Sequence, residues 1–170
     1  QCCTVWLNGE ELGRHIGGYL PFTFELTDHL SSDPFTLELC VTDPTDTGFL
    51  SRGKQRLKHA GIWYTPQSGI WQTVWLEAVP QNYLHSLRIT PQPEQNTVHL
   101  RLDADDPAHA NITVHKDGII IAAGESGTDG EALLSIPAEQ LRLWSPEDPF
   151  LYDVTITLAG GDTVESYFGM

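Results

Sequence analysis

The chain has 170 residues, enough for one large or two small domains, and its composition excludes several classes of protein. With 40% hydrophobic and 19% charged residues, it is too apolar to stay unfolded. The longest apolar stretch, 119–123, is far shorter than the roughly 20 residues that cross a membrane. A net charge of −14 argues against nucleic acid and anionic lipid as partners, because an acidic surface repels phosphate groups.

Alternation of apolar and polar residues, which is typical of half-buried strands, is the main pattern in the first half. It predicts one strand with Phe, Phe and Leu at positions 22, 24 and 26, and a second over 35–41. Asn8-Gly9 predicts a tight hairpin turn between two further strands, since both residues tolerate positive φ. The alternation stops over 43–72 and returns in a predicted strand over 73–79. An irregular segment of that length is usually functional.

A domain boundary is expected at 80–83, where the strand pattern ends at Pro80 and then restarts. Residues 1–80 hold five basic and nine acidic groups (−4), whereas 81–170 hold four and fourteen (−10), which supports two units. Short strands at this density are typical of an immunoglobulin-like sandwich. The seven predicted strands are 84–90, 97–103, 111–115, 118–123, 132–136, 151–158 and 163–169.

The three cysteines, Cys2, Cys3 and Cys40, have no CxxC spacing and cannot all pair within one chain. We expect reduced thiols, with Cys40 buried in its strand as a small hydrophobe. No signal peptide is visible, and a cytoplasmic location is favoured while the compartment stays open. Because residues 1–7 already have a strand pattern, we expect the natural N-terminus to lie upstream.

Motifs for nucleophilic catalysis, phosphate binding and metal binding are absent from the sequence, and we predict neither a metal site nor a cofactor. Four histidines in or beside predicted strands are expected to be exposed or hydrogen-bonded rather than zinc ligands. They are His85, His99, His109 and His115. Adjacent acidic pairs such as Glu10/Glu11, Asp105/Asp106 and Glu147/Asp148 are interpreted as solvated surface, since neighbours on a strand point to opposite faces.

Two neighbouring stretches concentrate basic and aromatic residues. The run 52–59 holds four of the nine basic residues, and the segment 61–71 adds Trp63, Tyr64 and Trp71. Aromatic faces beside amide and charged groups suit sugars, whose C–H faces lie on rings while their hydroxyls need polar partners. The alternative is that the three aromatic side chains close the end of a sandwich. For 17–22, composition alone favours a tight bend over a binding loop.

Three motifs resemble glycoside hydrolase family 2, which contains β-galactosidases and β-glucuronidases. Residues 5–22 are similar to that family's pattern VWxNGxxxGxxxGGYxPF. Residues 69–77, with sequence GIWQTVWLE, are similar to the strand that closes its sugar-binding jelly roll. Residues 143–152, together with Phe168-Gly169, look like the end of its immunoglobulin-like domain. The order and spacing agree, and the resemblance spans essentially the whole chain.

The resemblance implies an all-β chain: a partial jelly-roll β-sandwich over 1–82 followed by an immunoglobulin-like β-sandwich over 83–170. Family members carry both catalytic glutamates in a (β/α)₈ barrel of roughly 250 residues, and no such pattern is present here. We therefore expect an excised, inactive piece of a retaining β-glycosidase that supports and completes the barrel's active site, with no catalytic residue of its own. The implied partners are a carbohydrate substrate and the enzyme's own barrel. A homo-oligomer and the identity of the sugar stay open.

Two further hypotheses remain beside this one. The chain is either a stand-alone carbohydrate-binding or adhesion module that uses residues 63–71, or a pair of spacer domains that brace a barrel. The spacer role is compatible with the glycosidase fragment.

Candidate substrate contacts come from the loop and from the basic and aromatic stretches. Residues 41–50 resemble a jelly-roll loop that supplies an aspartate to the sugar subsite, with Asp46 at the matching position. An ionised carboxylate there accepts hydrogen bonds from two sugar hydroxyls or helps to hold a hard cation. The alternative is an aspartate that bonds its own turn. Arg52, Lys54 and Trp63 complete the candidate set.

Overall fold

A computed structural model describes residues 1–30, 34–49 and 51–170 of the chain. The chain divides into two compact units, Gln1–Leu76 (unit 1) and Glu77–Met170 (unit 2). The described residues form β-strands, turns and three short 3₁₀ segments, with no α-helix among them. The expected all-β fold class, with sandwich-type sheets, is confirmed.

Unit 1 contains a three-stranded antiparallel sheet of β1 (Cys2–Leu7), β2 (Glu10–Ile16) and β3 (Leu37–Thr42), in the order β2-β1-β3. The predicted hairpin turn is confirmed, because Asn8 (φ 51°) and Gly9 (φ 84°) both take the left-handed conformation. Asn8 also ties the turn to the sheet. Its backbone N–H donates to the Thr36 carbonyl, and its side-chain oxygen accepts the Thr36 N–H at 2.9 Å.

The inner face of this sheet carries Cys3, Val5 and Leu7, all buried. Burial raises the pKa of the Cys3 thiol. The prediction that Cys40 is buried is wrong: its thiol is free and exposed, because Cys40 pairs with Thr4 on the outer face. Strand membership alone does not bury a side chain, since alternate residues point to opposite faces.

The predicted strand around positions 22–26 is also wrong. These residues, all described, are in no ladder, and the 3₁₀ segment Thr27–His29 follows them. Their burial still alternates, because the rings pack on β2: Phe22 stacks on His15 with centroids 4.5 Å apart, and Phe24 contacts Phe22 edge-on. Side-chain packing therefore produced a period of two without strand pairing. The strand predicted over 35–41 is confirmed as β3.

The segment 73–79, fully described, forms no strand either, contrary to prediction. Its side chains are exposed, including Val74, Trp75 and Leu76. The residues have high strand propensity, but a strand forms only when a neighbour supplies the ladder hydrogen bonds. The irregularity predicted for 43–72 is confirmed over the described residues, where one isolated bridge joins Gln55 and Tyr64. Leu50, within the loop stretch 41–50, lies outside the described residues.

Unit 2 is a two-sheet sandwich, and all seven predicted strands are confirmed. One sheet has the order β4-β5-β8 and the other β10-β9-β6-β7, with antiparallel pairing throughout. This three-plus-four arrangement is immunoglobulin-like. The strands are β4 (Leu84–Gln92), β5 (Thr97–Ala104), β6 (Asn111–Lys116), β7 (Ile119–Glu125), β8 (Glu131–Ser135), β9 (Tyr152–Thr157) and β10 (Thr163–Phe168).

The inward faces of these strands form one continuous core. Alternate residues of β5, β6, β8 and β9 are buried, as the half-buried strand pattern predicts. The turn between β6 and β7 has Asp117 and Gly118 at φ 51° and 80°, the hairpin geometry that this residue pair favours. The fully buried members with the largest side chains include Leu100, Ile112, Ile136, Tyr152 and Ile156.

Tyr152 begins β9 and anchors the long connection from β8. Its hydroxyl accepts the Arg142 backbone N–H at 2.6 Å and donates to the Gln140 carbonyl at 2.9 Å. A tyrosine at this corner of an immunoglobulin-like sandwich, bonded to upstream backbone, is a recurrent feature of the architecture. The connection therefore has a buried polar anchor as well as apolar packing.

The entry into unit 2 is clasped by two polar side chains. The Asn82 amide donates to the carbonyls of Asp106 and Ala159 and accepts the Asp106 N–H, each at 2.9 Å. Asp162 accepts the Leu84 N–H at 2.8 Å, at the first residue of β4. These bonds define where the sandwich begins along the chain.

Candidate functional site

The turn after β3 is organised by Asp43. Its carboxylate accepts the Thr45 backbone N–H at 2.8 Å through one oxygen and the Ser68 hydroxyl at 3.1 Å through the other. Thr45 is buried and has φ 54°, a conformation that such an aspartate turn stabilises. Asp46 is half-buried in the same turn. The aspartate shown to bond its own turn is thus Asp43.

The basic residues of 52–59 have different environments. The Arg56 guanidinium lies 3.8 Å from the centroid of the Trp63 ring, so one face of that indole is covered. Arg52 donates to the Gly48 carbonyl at 3.4 Å, whereas Lys54 is exposed. These residues therefore do not act as one cationic patch.

Backbone hydrogen bonds hold the aromatic segment against this loop. The Tyr64 N–H donates to the Lys54 carbonyl at 2.8 Å, and the Arg56 N–H donates to the Tyr64 carbonyl at 3.2 Å. The Gln55 side-chain oxygen accepts the Gln67 N–H at 2.7 Å. These contacts set the positions of Tyr64 and the residues that follow it.

The predicted bend at 17–22 is confirmed over residues 18–20, with Gly17 at φ 123°. It contributes directly to the same region. The indole N–H of Trp71 donates to the Gly18 carbonyl, and the Tyr19 hydroxyl donates to the Ser51 carbonyl, both at 3.0 Å. Both rings are therefore held by their polar edges.

These elements enclose a recess of about 560 Å³ within unit 1. Its walls combine three exposed aromatic side chains with a few polar groups, a composition typical of small-molecule sites. The aromatic members are Tyr19, Tyr64 and Trp71, and the polar members include Asp43, Gln55 and Ser68.

Of the four predicted substrate contacts, Arg52 lines this recess, whereas Asp46, Lys54 and Trp63 are not among its lining residues. Sequence reasoning missed Asp43, Gln55 and Ser68. The Asp-x-Thr spacing at 43–45 is a signal for a turn-forming aspartate, but Gln55 and Ser68 are brought in by long-range contacts that have no local pattern.

Within the described residues, no group of three or more histidine, cysteine or carboxylate side chains is placed to hold a metal ion. The four histidines of unit 2 are hydrogen-bonded or face carboxylates, as predicted. His99 pairs with Glu131, and His115 bonds the Thr155 hydroxyl at 2.9 Å. His85 and His109 lie 3.9 Å and 3.8 Å from the carboxylates of Asp105 and Glu125, respectively.

The motif at 143–152 forms a compact corner of unit 2. A bidentate ion pair joins Arg142 to Asp148, and its hydrogen bonds lower the pKa of the Asp148 carboxyl. The same guanidinium lies 4.6 Å from the ring centroid of Phe150. The Trp144 N–H donates to the Met170 carbonyl at 2.7 Å, so the end of the chain packs on this corner.

A family model for glycosyl hydrolases family 2 matches residues 82–170, just over half of the chain. The chain belongs to glycosyl hydrolase family 2. Its sequence is 26% identical over 165 residues to a β-galactosidase large subunit from Leuconostoc lactis, covering 93% of this chain and 25% of that protein. It is 23% identical over 191 residues to a β-glucuronidase from Rattus norvegicus, covering 96% and 28%.

Solved structures of family 2 enzymes have the same fold. A β-D-glucuronidase from Dictyoglomus thermophilum matches with a TM-score of 0.71 and 17% identity, over 99% of this chain and 32% of that one. A β-glucuronidase from Ruminococcus gnavus matches with a TM-score of 0.72 and 17% identity, over 99% and 30%. The chain spans about a quarter of the length of the curated relatives it matches. Among the described residues, no helix has the length and apolar character needed to cross a membrane.

Proposed function

We propose that this chain is the non-catalytic portion of a family 2 β-glycosidase. In this proposal, residues 1–82 are the C-terminal part of the sugar-binding jelly roll, and residues 83–170 are the immunoglobulin-like domain. Together they support a (β/α)₈ barrel and complete its active site. The observation that carries the proposal is the family match over 82–170 in a chain that aligns, over nearly all its length, with only about a quarter of its relatives.

The reaction belongs to the longer protein. It would hydrolyse a β-galactoside or a β-glucuronide with retention of configuration, one carboxylate acting as nucleophile and a second as acid and base, about 5–5.5 Å apart. The described residues contain no α-helix and therefore no part of an alternating barrel. The chain by itself should thus bind or brace without turning over substrate.

The exposed apolar side chains of unit 1 support its assignment as part of a sandwich. Leu37 and Leu39 share a face with the buried residues of β1 yet are themselves exposed, and the sheet has an open edge on β2 and on β3. Such edges and faces are normally covered by further strands. A jelly roll supplies them from its other strands.

Asp46, Arg52, Lys54 and Trp63 are proposed to contact the substrate in the longer enzyme. The half-buried Asp46 lies on the loop that adjoins the recess, and Arg52 lines it. Because one face of Trp63 is covered by Arg56, only its remaining surface is available to a sugar.

The experiment compares the 170-residue chain with a version extended to the length of its relatives. Aryl β-galactoside and aryl β-glucuronide are assayed in preparations free of host enzyme. The extended protein should hydrolyse at least one of them, and the short chain neither. Turnover by the short chain would overturn the non-catalytic assignment, and an inactive, folded extended protein would favour a stand-alone carbohydrate-binding or adhesion module.

Within the extended enzyme, Asp46→Ala should lower kcat/KM by the equivalent of about 1–3 kcal/mol, the loss of a charged hydrogen bond, with little change in Tm. Steady-state kinetics and calorimetry on the same preparation check this. Unchanged kinetics with a large drop in Tm would assign Asp46 to the turn, and Arg52 and Lys54 would be tested next.

A further inference from the structure

The aromatic rings around the recess of unit 1 are fixed in place while their surfaces stay open. Trp71 and Tyr19 are each held by one hydrogen bond from the polar edge of the ring, and Tyr64 is held through its backbone. All three side chains remain exposed. Rings that only filled a core would be buried, and rings on a mobile loop would lack these bonds. The arrangement is a rigid, solvent-facing aromatic surface.

Polar groups lie beside this surface with unused hydrogen-bonding capacity. Each carboxylate oxygen of Asp43 accepts one hydrogen bond within the loop and can accept another. The Ser68 hydroxyl donates to Asp43, which leaves its lone pairs free to accept. The Gln67 side chain, also at the recess, offers both a donor and an acceptor.

The charge of the recess indicates the class of ligand. Among the described lining residues, the charged side chains are Asp43 and Arg52, which have opposite signs. Arg52 already donates to a loop carbonyl, and Asp43 would repel a carboxylate placed next to it. An uncharged ligand with an apolar face and several hydroxyls therefore fits this lining better than an anionic one.

We propose that the recess binds a neutral pyranoside of one or two rings, stacked on Trp71 and hydrogen-bonded to Asp43 and Ser68. The volume of about 560 Å³ lies within the range of small-ligand sites. This proposal rests on the proposed function only for the expectation of a carbohydrate. It assigns binding to the 170-residue chain itself, through residues other than Asp46, Lys54 and Trp63.

The test titrates the isotope-labelled 170-residue chain with methyl β-D-galactopyranoside and, as the anionic match, methyl β-D-glucuronide. Amide shifts are followed by NMR. A ligand of this size in an open recess should bind with a Kd on the order of millimolar. We expect shifts at 43–45 and 64–71 with the galactoside, and binding at least fivefold weaker with the glucuronide.

The decisive variant is Trp71→Ala, which should weaken galactoside binding by at least tenfold, while Trp71→Phe keeps part of it. The matched control is Trp75→Ala, because Trp75 is as exposed as Trp71 (72% against 68%) but does not line the recess. The control should leave the Kd unchanged. Unperturbed amide shifts in unit 1 outside the recess confirm that each variant is folded.

Absence of galactoside shifts at 50 mM, or equal losses in the Trp71 and Trp75 variants, would overturn the proposal. Glucuronide binding as tight as galactoside binding would overturn the neutral class. Hydrolysis by the extended enzyme is measured separately, so its failure is distinguishable from a failure of binding here.

Discussion

The two units differ in how completely their sheets are covered, although both are built from antiparallel strands. In unit 2, two sheets face each other and bury one continuous core, as at Ile112 and Leu134. In unit 1, the three-stranded sheet buries Cys3, Val5 and Leu7 but leaves Leu37 and Leu39 on the same face exposed. The comparison teaches that strand propensity is common to both units, whereas burial depends on a second sheet.

The largest expected effect is on the core of unit 2. Ile112→Ala in β6, where the side chain is 1% exposed, should lower the free energy of unfolding of unit 2 by about 2–5 kcal/mol. Leu39→Ala in β3, at 37% exposure, should cost unit 1 less than about 1 kcal/mol. Urea unfolding followed through NMR signals of each unit measures both changes. Equal losses would contradict the difference in burial.

The same difference should appear in native-state hydrogen exchange. The amides of β1 and β3 should exchange at least about 100-fold faster than those of β5, β6 and β9, because few apolar contacts oppose local opening. Exchange at several denaturant concentrations distinguishes local from global opening. Earlier opening of unit 2 would reverse the comparison. The open edges of β2 and β3 should also cause concentration-dependent self-association, measurable by light scattering.

A smaller effect is expected at the corner before β9. Tyr152→Phe removes the hydroxyl that serves the Arg142 N–H and the Gln140 carbonyl, and it should destabilise unit 2 by about 1–3 kcal/mol. The control is Tyr167→Phe on β10, where the side chain is 66% exposed against 0% for Tyr152, and its effect should stay within about 0.5 kcal/mol. Similar Tm values for the two variants would show that the corner bonds add little.

The smallest effect concerns the surface ion pair in the same corner. Arg142 lowers the folded-state pKa of Asp148 below its ordinary 3.8, so the pair stabilises the fold above that pH. The contribution is lost as the pH falls through the lower folded-state pKa. The Tm difference between the wild type and Asp148→Asn should therefore be present near about pH 6 and vanish at strongly acidic pH. A difference that does not change with pH would contradict this account.

Much of unit 2 was predictable from its sequence, because its strands are short, alternate regularly and are separated by turn residues. All seven strands and the Asp117-Gly118 turn follow from such local patterns. In unit 1, the Asn8-Gly9 hairpin and β3 were predictable for the same reason. The segments 22–26 and 73–79 have equally good strand patterns and form no strand, since the pattern records which side chains can be buried and not which backbone will pair.

The sequence by itself determined the all-β class, the hairpin turns, and the motifs that link the chain to family 2. Tertiary structure alone decided the rest: the exposure of Cys40, the corner role of Tyr152, and the recess that joins Asp43, Ser68 and Trp71. The physical reason is the range of the interactions. Turn preferences and alternation act between near neighbours, whereas the recess depends on hydrogen bonds such as those from Ser68 to Asp43 and from Trp71 to Gly18, 25 and 53 residues apart.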